Sequence, residues 1–269
     1  MNRVEAVILG LVEGVTEFLP VSSTGHLILT RSLLGLEGAA VDAYLVIIQG
    51  AAILAVCWEY RQRLWHTALA VHRDAAARRF FLHLFVAFLP LAVLGLLFQR
   101  PIKDTLFGPV PVALALIVGG LVILWAERRQ HTQHLQTAGQ LRFRHALALG
   151  LFQALALIPG TSRSGATIIG GLFLGMSRTL AAEFSFFVAI PTLLAATAYE
   201  LIEEARALAG VDPVALGLGA VVSFASAFAT TRILIRFVSR HSFEWFAWYR
   251  IVFGLLVLAT WQAGWIDWR

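Results

Sequence analysis

Charge is scarce in this sequence: charged side chains make up 14% of its 269 residues and hydrophobic ones 59%. An ordinary soluble domain carries about 25% charged residues, so the composition excludes that class. Several apolar runs instead reach the roughly 20 residues that a helix needs to cross a bilayer core. The alternating pattern of strands of about 10 residues, typical of a membrane β-barrel, does not occur. The sequence therefore predicts an all-α polytopic membrane protein.

Cysteine and lysine each occur once, as Cys57 and Lys103. A single cysteine excludes an internal disulfide, and this one lies in an apolar run. The formal net charge is +5, but the basic residues are mostly arginines in short segments between apolar runs. This distribution is typical of the cytoplasmic loops of membrane proteins and does not indicate a nucleic-acid partner.

Six apolar segments are predicted to span the membrane, at residues 42–60, 80–99, 110–127, 182–201, 214–231 and 247–265.

The charges between these segments predict their orientation. Residues 61–79, 127–145 and 232–250 are basic, whereas residues 200–212 are acidic. Placing the basic segments in the cytoplasm and the acidic one outside uses every span once. Arg250, at the end of the last basic segment, is predicted to be an interfacial anchor.

A polar signature occurs twice, at residues 10–26 and 150–167. Both copies read Gly-Leu-x-(Glu/Gln), then Pro, then a hydroxyl-rich turn closed by Gly. The segments that contain them, 4–35 and 143–175, have apolar arms too short to span. Irregular backbone at membrane depth must be covered by protein or line a wet cavity. Each segment is therefore predicted to be a re-entrant helical hairpin.

One hairpin and three spans in each half predict an inverted-topology internal repeat. Residues 1–269 then form a single integral membrane domain, with repeat halves at about 1–127 and 143–269 joined by a basic cytoplasmic loop. Because three spans is an odd number, the two hairpins enter from opposite sides and their tips meet near the middle of the bilayer. We expect one composite site built from both halves.

Glu13 and Glu17 are four residues apart, so a helix places both carboxylates on one face. A solvated helix face is the usual setting for such a pair, but the neighbours here are apolar. Two adjacent anions resist desolvation, and a bound cation would relieve this. Hard oxygen ligands suit Mg²⁺ or Ca²⁺, so a divalent metal site is predicted at these two residues.

Hydroxyl groups follow Pro20 and open the second arm of the first hairpin. Serine or threonine before a helix is first a capping signal. The same helix start offers free N–H groups that favour phosphate, which adds Ser22 and Thr24 as candidate ligands. His26 lies three residues after Ser23, so the two are candidates for a nucleophile and its proton-transfer partner.

The second tip carries a cation among small polar residues. Arg163 would ordinarily be read as an arginine that snorkels to the interface, but its place in mid-hairpin favours a bidentate clamp on phosphate. The neighbouring hydroxyls and glycine can approach phosphate oxygens closely. The candidate pyrophosphate-binding residues of this tip are Ser162, Arg163, Ser164, Gly165 and Thr167.

Together the two motifs resemble those of the bacterial undecaprenyl-pyrophosphate phosphatase family of the bacitracin-resistance type. Residues 13–26 are similar to its Glu-rich motif and residues 159–167 to its second motif, and length and repeat extend the resemblance to the whole chain. The resemblance implies metal-dependent activity at Glu13 and Glu17, and Ser23 as a nucleophile with His26 as its acid/base. It implies that Ser162, Arg163 and Thr167 bind the pyrophosphate.

The implied function is hydrolysis of undecaprenyl pyrophosphate to undecaprenyl phosphate and inorganic phosphate, which recycles the lipid carrier for cell-wall synthesis and confers bacitracin resistance. The implied setting is the bacterial inner membrane, among membrane lipids, with a site open to the periplasmic side. Whether Ser23 attacks or orients a water is left open, as is a homodimer.

An ion-coupled transporter or lipid flippase, with Glu13 and Glu17 as coupling sites, is the alternative function class. Inverted repeats with broken helices are a transport architecture. The Ser23–His26 pair and Arg163 favour the phosphatase, because transport of a cation needs neither a nucleophile nor an anion clamp.

Overall fold

The computed structural model describes residues 1–129, 133–203 and 210–266, which form eleven α-helices. In chain order these are α1 Arg3–Thr16, α2 Ser23–Leu33, α3 Ala39–Glu59, α4 Arg61–Ala70, α5 Ala75–Leu106, α6 Pro109–Arg128, α7 Phe143–Ala154, α8 Arg163–Phe173, α9 Arg178–Glu203, α10 Pro213–Val238 and α11 Glu244–Gln262.

Five of these helices are long and apolar enough to cross a membrane: α3, α5 over Ala75–Phe98, α6, α9 and α10. They match the first five predicted spans with ends that differ by a few residues, so the prediction of a polytopic helical membrane protein is confirmed. The observed helices run past the predicted bounds by up to seven residues, because polar residues join a helix end once it leaves the apolar layer. In α9, for example, the helix begins at Arg178 and not at residue 182.

The sixth predicted span, 247–265, corresponds to α11. This helix has 19 residues but does not belong to the five, because Glu244 and Arg250 lower its apolar character. The sixth span therefore stays a prediction.

Two of the basic segments between the predicted spans are largely helical. Residues 61–79 contain α4 and the first turn of α5, and residues 232–250 contain the end of α10 and the start of α11. Helical structure fits these segments because arginines are good helix formers outside the bilayer; their cytoplasmic side stays a prediction. Parts of two further charged segments, residues 130–132 and 204–209, lie outside the described residues.

Each of the two polar motifs contains the turn between two short helices. Helix α1 ends at Thr16 and α2 begins at Ser23, whereas α7 ends at Ala154 and α8 begins at Arg163. Each of these four helices has 11 to 14 residues, fewer than the roughly 20 that a span requires. The broken hairpins predicted from Pro and the hydroxyl-rich turns are present as helix–turn–helix pairs.

The helices of the two halves interleave. Helix α1 packs along α10, and α7 packs along α5; α3 contacts α9, and α6 contacts α11. These pairings map onto one another when α1 is matched with α7, α3 with α9, α5 with α10 and α6 with α11.

Equivalent glycines permit close contacts in two of these helix pairs. A Cβ at Gly10 would lie 2.5 Å from the carbonyl oxygen of Gly219 in α10, and one at Gly150 would lie 2.7 Å from that of Ala87 in α5. Such separations leave no room for a side chain. Small residues at helix crossings are typical of packing within membranes, and they hold α1 and α7 against the opposite half of the chain.

The outer surface carries apolar side chains in helical stripes. On α6, Leu114, Val118, Leu121 and Trp125 are all about half exposed and recur every three or four residues. A stripe of this size exceeds the isolated apolar residues of a soluble surface. It is the surface that a lipid-facing helix requires.

Candidate functional site

The two hairpin tips share one unusual backbone conformation. Ser22 and Ser162 both have φ 72°, and they are the only non-glycine residues with positive φ in the described part of the chain. Each is the N-cap of the helix that follows, and its hydroxyl accepts the N–H of Gly25 or Gly165. Non-glycine residues rarely adopt this region, and strained positions cluster at functional sites.

The residue after each strained serine points toward the same place. It is Ser23 in the first tip and Arg163 in the second, and Glu17 lies between them. The hydroxyl of Ser23 donates to Oε2 of Glu17 at 2.5 Å. Nε and Nη2 of Arg163 donate to Oε1 of the same carboxylate at 3.3 and 3.2 Å. Glu17 is thus shared by both tips.

This ion pair is buried and well supported. The side chains of Arg163 and Glu17 are 8% and 4% exposed, so solvent screens their attraction little. The remaining arm of Arg163, Nη1, donates to the carbonyl oxygen of Ser185 in α9 at 3.2 Å. The guanidinium is therefore held by Glu17 of the first half and by α9 of the second half.

Glu13 lies one helical turn before Glu17 and is fully buried. Within the described residues neither of its carboxylate oxygens has a hydrogen-bond partner, and the charged groups that act on it are Glu17 and Arg163. An ionised carboxylate in this setting is costly unless it is paired or binds a metal.

A divalent cation fits this pair of carboxylates. No cluster of three or more His, Cys, Asp or Glu side chains occurs in the residues that the structure describes. These side chains alone therefore do not complete the coordination shell of a metal ion. Mg²⁺ is commonly held by one or two carboxylates, with waters and substrate phosphates completing its shell. The unpartnered oxygens of Glu13 and the carboxylate of Glu17 meet that requirement.

His26 lies beside the first tip but faces away from Ser23. Its Nδ1 is 2.7 Å from the carbonyl oxygen of Ser22, and its Nε2 is 2.6 Å from the hydroxyl of Tyr249 in α11. Its ring stacks on Phe253 with centroids 4.3 Å apart. Among the described residues, Ser23 thus has Glu17 and not His26 as its proton-transfer neighbour, and the Ser23–His26 pairing stays a prediction.

The other predicted residues of the second tip divide into two groups. The hydroxyl of Ser164 donates to the carbonyl oxygen of Leu19 at 2.7 Å, and Thr167 bonds Ser185 at 2.5 Å. These groups tie the tip to the first hairpin and to α9. Ser162 and Arg163 line the adjoining cavity, as do Ser22 and Thr24 of the first tip. The backbone N–H of Gly165 is engaged with its cap.

The prediction of Arg250 as an interfacial anchor was wrong. Its side chain is fully buried, and its guanidinium donates at 2.9–3.3 Å to the carbonyl oxygens of Pro20, Ala115, Leu116, Gly160 and Thr161. Arg250 thereby fastens both tips to α6. An arginine within an otherwise apolar segment was the available signal, since intramembrane charge is usually functional.

A cavity of about 580 Å³ opens at the two tips. Its polar end is formed by Glu17, Ser23, Thr24, Ser162 and Arg163. Its apolar wall comes from α5, α9 and the turn before the second tip, with lining residues that include Phe88, Leu91, Leu96, Ile102, Phe107, Leu157, Leu193 and Ala196. The site can therefore receive a molecule with an anionic head and a hydrocarbon tail.

Residues 6–256 match the family model described as bacitracin resistance protein BacA. The chain belongs to this family. It is 57% identical over 265 residues to a protein of Dechloromonas aromatica named undecaprenyl-diphosphatase, with 98% of this chain and 96% of the relative aligned. It is 56% identical over 264 residues to undecaprenyl-diphosphatase 1 of Chromobacterium violaceum, with 98% of each aligned. The family predicted from the two motifs is confirmed.

Proposed function

We propose that this chain is an undecaprenyl-diphosphatase that removes the terminal phosphate of undecaprenyl pyrophosphate and leaves undecaprenyl phosphate. The cavity carries the proposal, because its polar end at the tips and its apolar wall match the head and tail of such a lipid. Family membership and the names of the bacterial relatives support the same substrate. In this role the protein recycles the lipid carrier for cell-wall synthesis and confers bacitracin resistance.

Ser23 and Glu17 supply the reacting oxygen and its base. In the serine route, Oγ of Ser23 bonds to the terminal phosphorus while its proton passes to Glu17. The bond to the lipid-phosphate oxygen breaks, and undecaprenyl phosphate leaves with the electron pair. Water then hydrolyses the phosphoserine to inorganic phosphate. In the alternative route Ser23 orients a water, and Glu17 takes the proton of that water.

The two routes differ in one intermediate. Rapid acid quench of the wild type with radiolabelled substrate traps phosphoserine at residue 23 only in the serine route. Turnover without label on the protein favours the water route. In both routes His26 has a positioning role. It bonds the carbonyl oxygen of Ser22 and so fixes the turn that presents Ser23.

Arg163 binds the pyrophosphate as charge develops on it. Its planar guanidinium suits bidentate contact with phosphate oxygens, which replace Glu17 as its partner when substrate enters. Helices α2 and α8 both begin at the polar end of the cavity, and helix N-termini favour anions. Donors fixed before the reaction are the ones that stabilise a transition state most.

Glu13 and Glu17 would hold a divalent cation, Mg²⁺ or Ca²⁺, which when bound neutralises phosphate oxygens and polarises the scissile bond. Glu13 supports this assignment, because a bound cation would satisfy its two buried carboxylate oxygens, which lack partners among the described residues.

The proposed membrane arrangement has six spans and two re-entrant hairpins in an inverted repeat within one domain. The matched pairings of the helices and the shared conformation of Ser22 and Ser162 support it. The cavity reaches Glu200, the first residue of the acidic segment 200–212 that the charge pattern places outside. The site would therefore open to the periplasmic face of the bacterial inner membrane.

The asymmetry of the two tips favours a phosphatase over a transporter or flippase. Gln153 stands where the first half has Glu13, and its side chain is satisfied by the carbonyl oxygen of Ala87 and by Thr192. The residue after the strained serine also differs between the tips: it is Ser23 in the first and Arg163 in the second. Each half thus contributes a different group to one reaction centre.

Phosphate release from undecaprenyl pyrophosphate by purified protein, with and without chelator, tests the proposal. We expect metal-dependent release that Ser23→Ala abolishes, whereas Ser239→Ala, which removes an exposed hydroxyl in the turn after α10, retains it. A folded wild type that releases no phosphate would overturn the proposal in favour of the transporter.

A further inference from the structure

A second cavity, of about 350 Å³, lies between α4, the start of α5 and the turn at residues 138–141. Its lining on α5 ends at His83 and that of the first cavity begins at Phe88, so the two cavities share no lining residue. We propose that this second cavity binds the phosphate group of an anionic membrane lipid.

The polar lining is built by one face of α4. Arg63, His66, Thr67 and Ala70 line the cavity, and their spacing of three and four residues places them on one side of the helix. From α5, Arg79 and His83 line the facing wall. The cavity thus gathers cationic and hydrogen-bonding groups from two helices, which is the composition of an anion site.

The charges leave one guanidinium available to a ligand. Arg63 is engaged, since it pairs with Glu183 at 3.4 Å and lies 4.7 Å from the ring centroid of Phe187. Asp74 is the lining carboxylate, and its Oδ1 accepts the N–H of Ala76 at the start of α5. Within the described residues no carboxylate pairs with Arg79, so its charge is free to meet a phosphate.

The opposite face of α4 argues for a lipid and not for free phosphate. Trp65 and Leu69 are 66% and 61% exposed, and Leu82 and Phe85 of α5 are about half exposed. A short helix with a basic face and an exposed tryptophan is typical of the membrane interface. A head group in the cavity would leave its acyl chains against this apolar surface. Basic pockets between membrane helices bind anionic head groups in this way.

Native mass spectrometry of the purified full-length protein tests the proposal. The wild type, Arg79→Gln and the control Arg73→Gln are each incubated with equimolar phosphatidylglycerol and phosphatidylcholine of the same chain length. Arg73 is an exposed arginine of the same segment that does not belong to the lining, so the control makes the same charge change. A parallel series adds inorganic phosphate at millimolar concentration.

We expect the wild type and Arg73→Gln to retain phosphatidylglycerol over phosphatidylcholine, and Arg79→Gln to lose about fivefold of that preference, the effect of about 1 kcal/mol from one basic residue near a membrane. Equal retention of the two lipids by the wild type, or equal losses in both variants, would overturn the proposal. Release of phosphatidylglycerol by millimolar inorganic phosphate would identify the ligand as free phosphate and overturn it as well.

Discussion

Arg163 and Glu17 belong to opposite halves of the chain and form a buried ion pair, in which two nitrogens of the arginine lie 3.3 and 3.2 Å from one carboxylate oxygen. The same carboxylate accepts the hydroxyl of Ser23 at 2.5 Å. The groups that we propose as base, nucleophile and anion clamp therefore meet only when both hairpins are in place.

Replacing Arg163 with lysine should impair catalysis and spare the fold. Lysine keeps the charge but cannot form the paired contacts of a guanidinium. We predict that kcat/KM for undecaprenyl pyrophosphate falls by roughly 100-fold, the usual effect of losing one fixed donor at developing charge. The matched control is Arg178→Lys, which alters the other two-nitrogen contact to a buried glutamate, Glu127, and should leave the rate near that of the wild type. Equal losses in the two variants would contradict a specific role for Arg163.

Glu13→Gln tests the metal site without measuring activity. We predict that Mg²⁺ or Ca²⁺ raises the thermal unfolding temperature of the wild type, because a ligand that binds only the folded state stabilises it. This increase should be lost in Glu13→Gln and retained in Glu37→Gln, which neutralises an exposed glutamate. If neither ion changed the unfolding temperature of the wild type, the metal site proposed at Glu13 would be contradicted.

Arg250 should be essential for stability. Arg250→Gln removes most of the five hydrogen bonds to carbonyl oxygens, and each buried group left unsatisfied costs about 1–3 kcal/mol. We predict a loss of about 3 kcal/mol or more in detergent unfolding measurements, with Arg250→Lys intermediate because lysine has three donors. Arg240→Gln, at an exposed arginine, should change stability little. If Arg250→Gln were as stable as the wild type, the tips would not depend on this anchor.

The strained backbone at Ser162 predicts that glycine at this position is less destabilising than alanine. Ser162→Ala keeps an L residue at φ 72° and removes the cap, which costs about 1 kcal/mol. Ser162→Gly also removes the cap but relieves the strained conformation. We predict that the glycine variant unfolds at a higher temperature than the alanine variant. The reverse order would show that strain at this tip is small.

Much of this fold follows from local patterns. The spans follow from runs of apolar residues, and the two breaks follow from Pro and clustered hydroxyls, because these signals act within a few residues. The proximity of Glu13 and Glu17 is likewise fixed by helical spacing. These features could be predicted without knowing which helices pack together.

The partners within the site could not be predicted in the same way. His26 bonds Tyr249 and Arg250 bonds Pro20 across more than 220 residues of chain, so their contacts depend on the packing of α11 against α6. The hydroxyl of Ser23 bonds Glu17 across the strained turn at Ser22, whereas both ring nitrogens of His26 bond other groups. Sequence spacing alone favours His26, three residues further along the helix, as the partner of Ser23.

We propose that Ser23 and Arg163, from the two hairpin tips, act as one catalytic unit. This is tested by initial rates of phosphate release from undecaprenyl pyrophosphate for the wild type, Ser23→Ala, Arg163→Ala and the double variant. Groups that act as a unit are not additive, so we predict that the double variant is no slower than the slower single variant. Losses that multiply in the double variant would contradict a shared site.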